Sequence, residues 1–333
     1  MELKKESFTI KKGLDIQLEG EAVRNLKTHL SSKSYIFPTD FRWFVPKLLV
    51  KEGDPVTVGT PLFCKKRDER VCVVSPVNGK ITQIVRGEKR VLEVIEIENE
   101  ATSIPKRCEI PENLSSSIIQ SLMLQNGLWP MLRQRPFSVI PSPDKKPKSL
   151  FISCFDSSPL APDFFFLLNN QKEMWQKGVE ILKLLLGEIP IYLGLNSNDN
   201  NSIFEETKDV NIRYFSGPHP AGNVGTQIHL VDPINKGESV WFIHPQDVVT
   251  IGRFFLKGEL SFDRIVALTG PELTETGYWK VNYGSDLKPL LMPLLHSDNV
   301  RLISGNVLTG SKLSDFFAVR FYDCQVTAFD VIS

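Results

Sequence analysis

Residues 50–62 read VKEGDPVTVGTPL, and residues 75–81 read SPVNGKI. These two stretches decide the first fold. Glycines at 53, 59 and 79 allow tight reversals that a side chain would obstruct. The apolar residues between them are expected to face a shared core. Short strands are expected at 48–51, 61–64, 70–74, 80–85 and 91–98. Turn signals separate them at Gly53-Asp54, Gly59, Asn78-Gly79 and Arg86-Gly87. Such spacing predicts a compact sandwich or flattened barrel over residues 31–100.

Working outward, the stretch before it is polar, and residues 8–13 predict one strand and a turn. Residues 101–148 predict a helix at 114–126 and then a proline-rich linker. From Ser149 the rhythm changes. Apolar runs at 150–155, 189–195, 211–215, 239–243 and 264–268 read as strands. A long helix ends at Gly187, a short one lies near 202–206, and one from 246 to 257 has Pro245 in its first turn. Strands alternating with helices predict an α/β domain over 149–270, with a parallel or mixed sheet covered on both faces. Residues 271–333 return to short strands, expected at 278–282, 300–304, 317–321 and 324–329.

Bulk properties narrow the function. Lys+Arg and Asp+Glu each total 39, so the net charge is zero and the basic footprint of a nucleic-acid-binding protein is absent. The longest apolar runs are too short to cross a bilayer. The N-terminus lacks the apolar core of a secretory signal. The five cysteines, at 64, 72, 108, 154 and 324, are widely spaced and form no C-x-x-C. They read as small buried hydrophobes rather than as a disulfide, zinc or iron–sulfur framework.

The 50–81 pattern resembles the biotinyl/lipoyl carrier fold, or barrel-sandwich hybrid. Carriers attach their group to a lysine at an exposed hairpin tip, flanked by methionines. Here that stretch is CKKRDER (64–70), with Lys65 and Lys66 but no methionine. It reads as a solvated charged hairpin. A second signal is SGPHPAGNVGTQIHLVDP (216–233), which follows a strand of the α/β region. Ligand loops of such sheets lie at the carboxyl ends of strands. It is neither G-x-G-x-x-G nor a Walker loop. His219, His229, Asp232 and His244 lack the spacing of a metal motif, and G-x-S-x-G is absent.

Taken in order, IKKGLD (10–15), NGK (78–80), RGEKRVL (86–92), GPHPAG (217–222), GTQIHLVDP (225–233), WFIHPQDV (241–248) and ALTGP (267–271) resemble one family. It is the A subunit of the bacterial sodium-translocating NADH:quinone reductase (Nqr). The resemblance implies a water-exposed subunit of a six-subunit complex that oxidises NADH, reduces ubiquinone and pumps sodium. It places the NADH site, flavins and iron–sulfur centres on other subunits. This one is implied to lie at the quinone end, against a membrane subunit. Ubiquinone is then the implied ligand, with no covalent cofactor. The expected location is cytoplasmic, peripheral on the inner membrane.

The implied fold joins the carrier-like module to a Rossmann-like domain similar to the complex I flavoprotein subunit, followed by an SLBB-type β-grasp region. Family members usually continue into a C-terminal helical region, so a chain stopping at Ser333 is expected to be either a piece cut from a longer protein or a shortened form. The alternative is a stand-alone flavin or NADH oxidoreductase. The candidate quinone or partner loop comprises Gly217, Pro218, His219, Gly222, Gly225 and His229, with no catalytic or metal residue assigned.

Overall fold

The computed structural model describes residues 6–100, 105–199, 202–313 and 315–331. The first five residues of the expected 1–30 segment and the stretch 101–104 therefore lie outside the description. The chain folds into two compact units, one of residues 1–15, 107–158 and 163–259, the other of residues 16–106, 159–162 and 260–333.

The first unit is built on a six-stranded sheet. Its order is Ser7–Thr9, Asn211–Ser216, Ile191–Asn196, Leu150–Ser153, Val240–Phe242, Arg133–Arg135. The first five strands are mutually parallel and the last is antiparallel. Its helices are α1 (Ser116–Gln125), α2 (Phe164–Leu168), α3 (Lys172–Leu186), α4 (Ser202–Glu205), α5 (Val224–Val231) and α6 (Pro245–Lys257). Two expected ends occur where the chemistry puts them. Gly187 closes α3 at φ 69°, and Pro245 opens α6, where its missing N–H needs no partner.

The sheet is covered on both faces. Phe151 and Val240 meet Ile228 of α5 on one face. Strand alternation sends Leu150, Ile152 and Trp241 to the other. The apolar run at 164–168 is helix α2, started by Asp163, whose carboxylate accepts from Phe166 N.

The second unit contains two small antiparallel sheets. One orders Lys33–Ile36, Leu92–Asn99, Gly79–Arg86 and Pro55–Val56. The other orders Pro46–Leu48, Pro61–Lys65 and Asp68–Val74. Leu62, Phe63, Ile81 and Ile95 are fully buried. This is the expected sandwich, and its charged hairpin turns at Lys66-Arg67, both exposed.

A further six-stranded sheet orders Leu26–Thr28, Gly277–Asn282, Asp263–Thr269, Gln325–Asp330, Val300–Ser304 and Ser311–Lys312. Val266, Leu268, Trp279 and Val326 pack there with Leu287 and with Leu291 of α7 (Lys288–Leu291).

One expected strand is corrected. Residues 317–321 are irregular. Phe317 has φ 49°, and Phe321 turns into an aromatic cluster, 4.9 Å from Phe41 and 4.8 Å from Tyr283. Filling that cluster outweighs the alternation seen in sequence.

Candidate functional site

Strand Asn211–Ser216 ends at Ser216, and the chain enters the 217–223 loop at the carboxyl edge of the parallel sheet. Gly217 takes φ 105°, and a Cβ there would lie 2.1 Å from the carbonyl oxygen of Ile10. Only glycine meets both demands. The N-terminal segment holds the loop along its length. Ile10 N donates to Ser216 O (2.8 Å), Leu14 N donates to His219 O (3.1 Å), and His219 N donates to Asp15 Oδ1 (3.1 Å). A Cβ on Gly13 would sit 2.0 Å from His219 O, so this approach also depends on glycine. The IKKGLD stretch is thus the strap on the candidate loop.

On its inner side the loop is fixed by side chains that the sequence did not single out. Ser157 Oγ accepts from Gly222 N (2.8 Å) and lies 3.1 Å from His219 Nδ1. Ser153 Oγ accepts from Gln227 Nε2 (2.8 Å) and donates to Gly222 O (3.1 Å). Gln227 is wholly buried on α5. A Cβ on Gly194 would lie 2.3 Å from its Oε1, so the amide packs onto bare backbone. A buried polar residue in a helix otherwise facing a sheet is the signal that could have found it.

A serine–histidine contact invites a nucleophile reading. The Ser157 hydroxyl, however, already receives the Gly222 N–H, and the same atom ties the loop to the strand end. The arrangement positions backbone.

The structure divides the six candidate residues. Gly217, Pro218, His219 and Gly222 share the strapped loop. Gly225 and His229 do not join them, because residues 224–231 form α5 rather than loop. Val224, Ile228 and Val231 recur at helical spacing and pack on the sheet. Gly225 and His229 lie on the exposed side.

A Cβ on Gly225 would meet nothing within 4 Å. Gly225→Ala should therefore raise stability by about 0.5–1 kcal/mol through helix propensity. A urea midpoint that stays put or falls would show that this face of α5 is not open.

The other candidate ligands have separate roles. His244 Nδ1 accepts from Gln246 N at the start of α6, and its ring meets Phe164 edge-on at 5.0 Å. Asp232 pairs with Lys148 at 2.8 Å. Among the described residues, no group of three or more His, Cys, Asp or Glu could hold a metal ion. No helix there is long and apolar enough to cross a membrane.

Three family models match in sequence order. They are the NqrA N-terminal barrel-sandwich hybrid domain over residues 8–100, the NqrA second alpha/beta domain over 114–260, and the NQRA C-terminal domain, of SLBB type, over 265–315. The A subunit of the Na(+)-translocating NADH-quinone reductase of Actinobacillus pleuropneumoniae serotype 5b is 35% identical over 312 residues, which is 91% of this chain and 69% of that protein. The chain belongs to this NqrA family.

The Haemophilus influenzae KW20 NqrA protein is 35% identical over 92% of this chain and 70% of its own length. That of Yersinia pestis Angola is 36% identical over 92% and 69%. The strap and the loop both lie within the matched segments, in the barrel-sandwich hybrid and alpha/beta models respectively.

Proposed function

We propose that this chain is a cofactor-free, water-exposed subunit of a sodium-pumping NADH:ubiquinone oxidoreductase, seated on the cytoplasmic side of the membrane through partner subunits. It would serve at the quinone-reduction end and in assembly, while NADH, flavin and iron–sulfur chemistry proceeds on other subunits. The observation that carries this reading is the family match along more than nine-tenths of the chain.

The strapped 217–222 loop is the surface we assign to ubiquinone or to a membrane subunit. In support, it sits at the carboxyl ends of parallel strands, where ligands of such sheets bind. Its backbone is held by Asp15, Ser153 and Ser157, so it would meet a partner already ordered, which lowers the entropy cost of binding.

His219→Ala removes the contact with Ser157. Gly222→Ala places a Cβ 2.4 Å from Ser157 N. Each variant, in the assembled complex, is expected to lose about tenfold in quinone reduction or to fail assembly. The isolated His219→Ala chain should lose only about 1 kcal/mol, the worth of one hydrogen bond. Normal activity in both variants would remove the loop from this role. The purified chain should be colourless, and a stoichiometric bound flavin would favour the stand-alone oxidoreductase.

A further inference from the structure

The hairpin of strands Pro61–Lys65 and Asp68–Val74 holds Cys64 and Cys72 as direct antiparallel partners. Side chains so placed share one face, with Cα atoms about 4.5–5.5 Å apart. That lies inside the span a disulfide bridges, about 4.4–6.8 Å. Both thiols are free, and they interact with each other.

The register shifts next to the pair. Lys65 faces Asp68, so residues 69–71 bulge out of the ladder. Cys72 Sγ donates into this bulge, to Glu69 O at 3.3 Å. Cys64 is buried, while Cys72 is half-buried and reachable from outside. The other cysteines are placed differently. Cys154 is buried in the α/β unit, and Cys108 Sγ donates to Asn126 Oδ1 (3.6 Å).

We propose that Cys64 and Cys72 form a redox-active dithiol, oxidised by a low-molecular-weight disulfide to an intramolecular disulfide that pins the charged hairpin. The Cys72 thiolate attacks one sulfur of R–S–S–R, which forms Cys72–S–S–R and expels RS⁻. The Cys64 thiolate then attacks the Cys72 sulfur. The Cys64–Cys72 bond forms, the bond to R breaks and a second RS⁻ leaves. The two thiol protons end on the two RS⁻ groups, and two electrons pass from the protein to the small disulfide. The reachable thiol reacts first and the buried one resolves it.

Burial pushes both thiols up, Cys72 to about 12. Little thiolate exists near neutral pH, so the rate should climb about tenfold per pH unit between 7 and 9.

The test equilibrates the full chain with reduced and oxidised glutathione in graded ratios at pH 8. It is then digested without reduction and read by mass spectrometry. The expected product is a linked pair of peptides containing Cys64 and Cys72, lighter by two hydrogens, with a titre of three free thiols from the original five. Tryptic cutting at Lys65, Lys66 and Arg67 should slow by about tenfold, because the tip must open locally to be cut.

Cys64→Ala should stop at glutathione on Cys72, and Cys72→Ala should leave Cys64 unreacted. The natural chain alone can overturn the proposal in three ways. It could keep glutathione on Cys72 without closing the bond. It could retain five thiols in the most oxidising mixture. It could pair either cysteine with Cys108, Cys154 or Cys324 instead.

Discussion

Replacing Gly252 by alanine is expected to lower the stability of the α/β unit by about 3 kcal/mol. Helices α3 and α6 touch backbone to backbone at Gly178 and Gly252. A Cβ on Gly252 would lie 1.7 Å from the carbonyl oxygen of Met174 and 2.7 Å from Gly178 N. The reverse change fares little better, since a Cβ on Gly178 would lie 2.1 Å from Val248 O.

Main-chain atoms cannot rotate away as a side-chain tip can, so the helices must separate. Separation loosens Trp175, Val179, Leu182, Val248 and Ile251, all buried. Overfilling a core costs about 1–3 kcal/mol, occasionally more. Backbone obstacles place this site at or above the top of that range, and the gain of about 1 kcal/mol in helix propensity only partly offsets it. Urea unfolding is the measurement, with Gly225→Ala as the contrasting change of the same chemistry in open space. A Gly252→Ala midpoint equal to that of the natural sequence would mean that the two helices do not meet there.

Asp40 should make stability fall as pH rises, by about 4 kcal/mol between pH 4 and pH 8. Its carboxylate pairs with Arg320 and accepts from Phe321 N (2.8 Å). Burial nevertheless raises its pKa more than these two partners lower it, from 3.8 to about 7. The nearby Asp323 adds to the rise.

An acid that binds its proton more tightly when folded stabilises the fold most below its unfolded pKa. The contribution is lost as pH rises through the folded value. A rise of this size corresponds to about 4 kcal/mol.

Asp40→Asn keeps a carbonyl for Phe321 N and removes the titration. The difference in unfolding free energy between the natural chain and this variant should therefore slope steeply from pH 4 to 7 and level off near pH 8. A difference that stays flat across that window would show Asp40 already ionised in the folded state, with Arg320 outweighing burial.

Much of the secondary structure was legible because its causes are local. Gly53 (φ 91°), Gly187 and Pro245 each dictate a turn or a helix end within a few residues, and the strands of the sandwich lie within a few residues of their expected limits. Glycines at 222 and 225 imply backbone freedom, so the sequence predicts loop where α5 forms. The apolar spacing of Val224, Ile228 and Val231 is what governs that segment. The candidate loop was legible as glycines and a histidine, while Ser153 and Ser157, which hold it together with Gln227, gave no pattern.

The sequence by itself determined most of the order of elements, the sandwich with its lysine hairpin, the α/β alternation and the family, since each rests on spacing along the chain. Tertiary structure alone decided which distant segments pair. Ser7–Thr9 joins Asn211–Ser216, and Leu26–Thr28 joins Gly277–Asn282. Strand partners are chosen by open edges and uncovered apolar faces, which exist only once the rest has folded. The same reason hid the strap on the 217–222 loop, the buried carboxyl of Asp40 and the facing thiols of Cys64 and Cys72. Burial and contact across a sheet belong to the assembled fold and to no stretch of sequence.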